Sequence, residues 1–336
     1  MFTMNSLCLP KQRSQSVKDF FFEYLQENLD HQSEICSELN LIYTQLSGGV
    51  FKGKVFNSNT GHVSIYKNFY SQATEMRVSV PSSSYCFFVL PEKAEPFFAC
   101  GIELTRSRVY LLPPGGGSLV IVPANGHVTL CTISRDALIH NEGLIEEASD
   151  WLLSVERRGA VLGSSVLADR LRSDIEAALE GVENAEAPEA REFIDKSTAF
   201  RIASSFTMEV LRSDAFSAIQ RPVSFERFWR ARKLLLENHR TVKECGLQSL
   251  SGLGSRRSTE QAFAEHVDMG PLACYRVVRL HSVRRKLIDL GRLGQSIGDI
   301  ASEEGFWDWS RFSTYYRRHF GVLPSDTRSR LQPSRR

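Results

Sequence analysis

Between Gly305 and Pro324 the chain reads GFWDWSRFSTYYRRHFGVLP, with seven aromatic rings and three arginines in twenty residues. The spacing inside this stretch restricts the fold more than anything else in the sequence. Phe312, Tyr316 and Phe320 recur at i, i+4 and i+8, which puts them on one face of a helix. Ser310, Arg311, Ser313, Thr314 and Arg317 fall between them and face the other way. The rings therefore belong mainly to a core, and the hydroxyls and cations to a surface. Upstream, Ser296 can cap a short helix holding Ile297, Ile300 and Ala301. Gly305 supplies a turn, and Asp308 or Ser310 can cap the ring-bearing helix. A helix, a short turn with glycine and a second helix make a helix-turn-helix, with small Ala301 where the helices cross.

A second unit of the same grammar lies upstream, in SRRSTEQAFAEHVDMGP (255–271). Charge sets this part of the chain apart. From Arg221 to Arg336 there are 22 Lys and Arg against 12 Asp and Glu, a net of +10. The first 220 residues hold the remaining 19 against 27, a net of −8. A basic third joined to an acidic front is the electrostatic footprint of nucleic-acid binding.

These residues carry a family resemblance. Ile300, Ala301, Gly305, Phe306, Phe312, Tyr316, Phe320, Gly321 and Pro324 fit a pattern that resembles the C-terminal signature of AraC-type (AraC/XylS) transcription regulators. SRR…AF at 255–263 with Gly270 and Pro271 resembles the first helix-turn-helix of that family, and RLHSVRRKLI (279–288) resembles its connecting helix. VRRKLI together with GFW is similar to the branch containing ethanolamine-utilisation regulators, which the front half resembles only loosely. The resemblance implies two helix-turn-helix units on one linking helix, presenting two recognition helices to successive major grooves. Residues 271–290 would span about 30 Å as a helix, close to the roughly 34 Å of one duplex turn.

Carried over residue by residue, the resemblance implies that the first unit reads bases with Arg256, Arg257, Glu260 and Gln261. The second would use Trp309, Ser310, Arg311 and Thr314. Arg can fork onto guanine, Gln onto adenine, and Glu can accept from cytosine; Trp309 would pack on a base methyl or a sugar. Arg284, Arg285, Arg317 and Arg318 are placed for phosphates or salt bridges. The first unit departs from the pattern. Thr259 stands where the family has an apolar residue. The preceding helix should fall within residues 241–254, where Gly246, Gly252 and Gly254 each cost a helix up to about 1 kcal/mol. That unit is expected to be the weaker reader.

The rest of the chain has a different grammar. SVKDFFFEYLQENLD suggests a short helix within an N-terminal arm, 1–39. From 40 to 139 short runs such as EMRVSV, YCFFVL, SLVIVP and HVTLCTI alternate with Pro, Gly and Ser clusters. VFKGKVF and HVSIYKNF flank NSNTG as a hairpin. From 140 to 220 the period turns helical. Leu167, Leu171, Ile175 and Leu179 form one stripe, ending at Gly181, and ENAEAPEA reads as a linker. Phe193, Phe200, Ala203 and Val210 form a second stripe, either packed on its own domain or serving as a dimer seam. The fold class is therefore α+β: an N-terminal β-rich domain (a sandwich or small, cupin-like barrel), a helical connector, and an all-α double helix-turn-helix domain at 221–330.

Other function classes find little support. No phosphate loop, nucleophile elbow or H-E-x-x-H motif occurs, so no catalytic residues are expected. PPGGG (113–117) reads as a strand-linking turn. His62 and His127 lack ligand spacing, so neither metal nor cofactor is expected, although a cupin-like enzyme fused to a DNA-binding domain is the rival class. A constitutive regulator whose front half only dimerises is the other alternative. Seven scattered cysteines without a C-x-x-C pair read as small buried hydrophobes. No apolar run is long enough for a membrane span or a signal peptide, which suggests a cytoplasmic chain. Phe87, Phe88, Phe97 and Phe98 are read as core rather than pocket lining. The partners expected are double-stranded DNA and, by resemblance, RNA polymerase, with a small-molecule effector and a second copy of the chain as further candidates.

Overall fold

The computed structural model describes residues 21–26, 36, 39–185, 187–212, 217–237 and 254–329. The chain divides into two compact units. The first comprises 1–43, 52–71 and 76–220; the second comprises 44–51, 72–75 and 221–336.

The first unit is built on two open sheets. The larger has the order β1 (Phe21–Gln26), β3 (Gly53–Asn59), β4 (Val63–Tyr70), β11 (Gly126–Ser134), β6 (Ser84–Val89), β9 (Val109–Leu112), β12 (Val161–Gly163) and β13 (Ser217–Ala218). The smaller has the order β2 (Asn40–Gln45), β5 (Thr74–Ser79), β10 (Gly117–Val122), β7 (Phe97–Ala99) and β8 (Ile102–Leu104). Neither closes into a barrel. NSNTG does form the β3–β4 hairpin, in register from Gly53 opposite Tyr70 to Asn59 opposite Ser64. Within the segment read as an N-terminal helix, Phe21–Gln26 is instead strand β1, antiparallel to β3, and the rest of that segment lies outside the described residues. Its FFEYL core is rich in strand-favouring aromatics, and the outer edge of β3 offers it unpaired backbone groups.

Four helices follow: α1 (Arg135–Ile139), α2 (Glu146–Arg158), α3 (Ser165–Asn184) and α4 (Pro188–Val210). They share one core with the large sheet. Ile65, Phe87, Val89, Leu111, Cys131 and Ile133 meet Leu152, Leu167, Leu171, Ile175, Ile202 and Phe206. Phe87 and Phe206 touch edge to face at 6.3 Å. Phe88, on the opposite face of β6, packs on Phe97 of the smaller sheet at 6.2 Å. A strand covered on both faces reads as a continuous apolar run, which is why YCFFVL shows no alternation. Phe98 alone of the four phenylalanines is exposed.

Two buried carboxylates anchor α4. Asp195 accepts from Thr60 Oγ1 (2.7 Å) and the backbone N–H groups of His62 (3.0 Å) and Val63 (3.1 Å), pinning the β3–β4 turn. Glu209 accepts from the backbone N–H and the hydroxyl of Ser164, both at 2.8 Å, at the start of α3. Gly181 does not end α3, which runs to Asn184. A Cβ at that glycine would lie 3.3 Å from Ile194, so its smallness lets α3 and α4 approach. The second apolar stripe is also divided: Ala203 is buried, while Phe193 and Phe200 are 72% and 48% exposed.

Candidate nucleic-acid interface

In the second unit, α5 (Val223–Glu237) precedes α6 (Arg256–Val267) and α7 (Pro271–Ile288). After α7 come α8 (Ile297–Glu303), α9 (Trp309–Phe320) and α10 (Pro324–Ser329). The ends of these helices are set by local chemistry. Ser296 Oγ accepts from Asp299 N–H (3.0 Å) to start α8. Asp308 Oδ1 accepts from Arg311 N–H (2.9 Å) to start α9. Gly321, left-handed at φ 75°, ends α9.

The turn between α8 and α9 rests on Gly305. Its φ of 74° belongs to the left-handed region, and a Cβ there would meet the Arg279 guanidinium at 2.7 Å. The Phe306 N–H donates back to Ala301 C=O at 2.9 Å, closing α8. Beneath this turn Leu280, Val283 and Leu287 of α7 pack with Ile300, Ala301, Phe306, Phe312, Tyr316 and Phe320. The Tyr316 hydroxyl donates to Thr327 of α10 at 3.0 Å.

Every ring of the i, i+4, i+8 stripe is thus committed inward, and what remains outside is polar. Trp309, Ser310, Arg311, Thr314, Arg317 and Arg318 are all exposed on α9. Trp309 is 61% exposed, with its indole laid against Gly298 of α8, where a Cβ would come within 2.7 Å of the ring.

The first helix-turn-helix is described only in part. Its preceding helix, expected within 241–254, lies outside the described residues apart from Gly254, at φ 112°. α6 itself is well formed. Ser255 Oγ accepts from Ser258 N–H at 3.1 Å. Thr259 is 3% exposed and donates its hydroxyl to the Ser255 carbonyl at 3.3 Å. That bond satisfies the hydroxyl inside its own helix, so the methyl can occupy a core position. Ala262 and Phe263 are buried beside it, with Phe263 against Phe228 of α5 at 4.9 Å. Arg256, Arg257 and Gln261 are exposed and Glu260 half-buried. Arg256 and Glu260 pair with each other at 2.9 Å.

The linking helix α7 has 18 residues, so it spans about 27 Å. Its buried Leu280, Val283 and Leu287 pack with Phe312, Tyr316 and Phe320 of α9.

A family model described as a helix-turn-helix domain matches residues 254–330. Over 73 residues the chain is 40% identical to the XylDLEGF operon transcriptional activator of Pseudomonas putida. Residues 254–330 are a helix-turn-helix domain. A further activator of the same operon, numbered 3, is 36% identical over 75 residues. Each match covers 22% of this chain, and the chain spans 23% of the length of these relatives. Among solved structures, the chain is similar to the AraC-like transcriptional activator CuxR (TM-score 0.41, 16% identity, 83% of this chain and 99% of that one). It is also similar to ToxT from Vibrio cholerae (TM-score 0.27, 14% identity, 88% of this chain and 100% of that one).

Within the helix-turn-helix domain the arginines divide by environment. Arg317 and Arg318 are exposed, whereas Arg284 and Arg285 are half-buried, and Arg284 lies over the Phe320 ring at 4.6 Å. Several structural cations escaped the sequence reading. Arg279 lies over the rings of Phe306 (4.3 Å) and Tyr275 (4.8 Å) and donates to the Glu304 carbonyl, riveting α7 to the turn. Lys286 pairs with Glu303 (2.6 Å) and Glu304 (2.8 Å). Arg328 donates to the carbonyls of Arg292 and Leu293, at 3.1 and 3.2 Å. The cations of RLHSVRRKLI and the rings of GFW supply the two halves of such stacking, but do not say which arginine turns inward.

Two short segments from the front of the sequence complete this unit. The backbone N–H of Gln45 donates to His281 Nε2 (2.9 Å), and its carbonyl accepts from His319 Nε2 (3.1 Å). The Gln45 side-chain amide donates to the carbonyls of His319, Ser47 and Gly49. Burial pushes the His319 imidazole down to about 4. Burial, followed by the neighbouring His319, Arg285 and Arg284, holds His281 well below the ordinary histidine range. Both rings are therefore neutral near pH 7. Glu75 and Arg232, 0% and 4% exposed, form an ion pair at 2.5 Å.

The first unit contains a cleft of about 690 Å³ whose lining includes Lys54, Phe56, Lys67, Phe69, His127 and Leu179. His127 packs against Phe69 with the rings tilted and their centroids 4.9 Å apart, and Lys67 pairs with Glu176 at 2.8 Å. Among the described residues, no three His, Cys, Asp or Glu gather as metal ligands, and no helix is long and apolar enough to cross a membrane.

Proposed function

We propose that this chain is a sequence-specific regulator of transcription that binds double-stranded DNA in two successive major grooves and acts as a ligand-responsive activator. One observation carries the reading. The recognition helix α9 buries Phe312, Tyr316 and Phe320 and leaves Trp309, Ser310, Arg311, Thr314, Arg317 and Arg318 outside. Base-edge donors at its N-terminal end and cations near its C-terminal end are what a helix entering a groove needs. In this reading Ser310, Arg311 and Thr314 read bases with Trp309 packed beside them, and Arg317 and Arg318 meet phosphates. Arg284 and Arg285 approach the backbone only at their guanidinium edges. In the first reader, Arg256, Arg257, Glu260 and Gln261 take the base edges, and Arg256 must leave Glu260 to do so. That exchange costs little, because an exposed ion pair is worth about 0–1 kcal/mol.

The cleft of the first unit is where we place a small-molecule effector. Its lining sets Lys54 and Lys67 beside Glu176, Glu180 and Glu183 around Phe56, Phe69 and Leu179, which suits a ligand with an apolar body and polar groups. The reading assigns the chain no catalysis and no cofactor, and places it in the cytoplasm with its DNA. RNA polymerase contact and a homodimer belong to it by family resemblance.

The test is selection of binding sites from random duplexes by the full chain, followed by titration at several salt concentrations. An enriched sequence whose affinity falls steeply with salt is expected. A folded chain that enriches no sequence refutes the reading.

A further inference from the structure

One arginine of the linking helix has no part in the contacts described so far. Arg276 of α7 is half-buried, and its guanidinium lies over the Tyr315 ring of α9 at 4.3 Å. That ring is itself packed against the core shared by α7, α8 and α9, so the cation is stacked on a fixed support. Its charge is not answered. Elsewhere in the unit, cations meet carboxylates: Lys286 takes Glu303 and Glu304, and Arg292 takes Glu303 and Asp289. Among the described residues, no carboxylate pairs with Arg276. Arg279 stands three residues further along the same helix, a spacing at which like charges repel. Holding a long cationic side chain still, half out of water and beside a like charge, is unfavourable unless an anion comes from outside.

The place of the stack says which anion. At 3.6 residues per turn, Arg311, Tyr315 and Arg318 fall within about 60° of one another on α9. The stack therefore borders the face that carries the exposed Arg311 and Arg318. Along α7, Arg276 lies about 8 Å from Pro271, where the chain has just left α6. A cation at that point sits between the two readers. When two recognition helices enter successive major grooves from one side, the minor groove passes between them with a row of phosphates along each edge. A planar guanidinium matches phosphate oxygens with two parallel N–H bonds.

We propose that Arg276 is a phosphate anchor between the two readers, and that Tyr315 is the residue that positions it. This contact presupposes the DNA-binding reading above and lies outside both recognition helices.

The test compares the full chain with Arg276→Gln, Arg276→Lys and Tyr315→Leu, with circular dichroism to check folding. Each is titrated at several salt concentrations against the duplex enriched by site selection and against a duplex of random sequence. Arg276→Gln is expected to bind both about tenfold more weakly and to enrich the same sequence as the parent. Its slope of log affinity against log salt should be shallower by about 0.9. Arg276→Lys keeps the charge and should keep the parental slope. Tyr315→Leu removes the support but not the charge, and should weaken both duplexes about threefold with the slope intact. Neutral methylphosphonate linkages along the minor groove between the half-sites locate the contact. They are expected to weaken the parent and to leave Arg276→Gln unaffected, because both changes remove one interaction. A parental slope in Arg276→Gln, a change in its enriched sequence, or equal sensitivity of parent and variant to the methylphosphonates would each overturn the anchor. Parental affinity in Tyr315→Leu would overturn the role of the ring. A parent that enriches no sequence, while Arg276→Gln still loses slope on the random duplex, removes the sequence-specific reading and leaves the contact; a parent that binds neither duplex removes both.

Discussion

The buried histidines make stability of the second unit depend on mild acid. His319 folds with its imidazole held near 4, while in the unfolded chain it returns to about 6.5. The unfolded state therefore takes up the proton first as pH falls. Stability present above about pH 6.5 is lost progressively below it, and the loss is complete near pH 4. At 1.36 kcal/mol per pH unit, the full difference is about 3 kcal/mol. At pH 5.0, where the unfolded histidine is almost fully protonated and the folded one barely so, the loss is about 2 kcal/mol. His281 adds to it in the same direction, and so does His266, whose burial also lowers it. His319→Gln isolates the one ring, because an amide can still donate to the Gln45 carbonyl but does not titrate. Urea unfolding of both proteins at pH 7.5 and 5.0 measures the effect. Tryptophan emission suits it, since Trp229, Trp307 and Trp309 all lie in the second unit, leaving only Trp151 in the first. The parent is expected to lose about 2 kcal/mol more than His319→Gln between the two pH values. Equal losses would show that His319 is not held neutral in the folded state, and would refute the buried arrangement around Gln45.

Phe312→Ala is expected to destabilise the second unit by about 3–5 kcal/mol and Ala301→Leu by about 1–3 kcal/mol, both read by the same unfolding assay. Gly305→Ala should cost about 1–2 kcal/mol from its left-handed φ, and more if Arg279 cannot move aside; replacing Arg279 with alanine in the same chain tests whether the clash contributes. Arg311→Ala should lose roughly 1–3 kcal/mol on the preferred DNA site and relax preference at one base pair, whereas Arg317→Ala should weaken all sequences alike and shallow the salt slope. Parallel site selection distinguishes the two, and a reversed pattern would mean that the wrong face of α9 enters the groove.

The second helix-turn-helix was legible because its instructions are local. Phe312, Tyr316 and Phe320 mark the inward face by spacing alone, and Ser296, Asp308, Gly305 and Gly321 mark the ends by chemistry that acts within a turn. The fold class of the front half was legible for the same reason, since strand and helix periods differ. What failed depended on distant partners. FFEYL becomes a strand because β3 presents an edge some 30 residues later. Gly181 stays inside α3 because Ile194 of the next helix needs the space. Thr259 is a core residue because its hydroxyl turns back to Ser255, a bond that composition does not announce. The inward turn of Arg279, and the bonds from Gln45 and Glu75 to residues more than 150 positions away, leave no periodic trace at all.

That last arrangement bears on how such a chain can be cut and recombined. The break in composition near residue 220 invites the view that the DNA-binding part is a cassette, free to be grafted behind any sensor. Severed there, it would keep Arg232 without Glu75 and expose the His281 and His319 rings that Gln45 now covers. Stranding one member of a buried ion pair costs about 3–5 kcal/mol, a large share of what holds a small domain together. A graft that succeeds would need to bring along, or replace, two short segments, 44–51 and 72–75, encoded some 150 residues upstream of the apparent seam. Selection on this lineage would then see those segments and the reader as one inherited piece, and their residues should change together rather than independently.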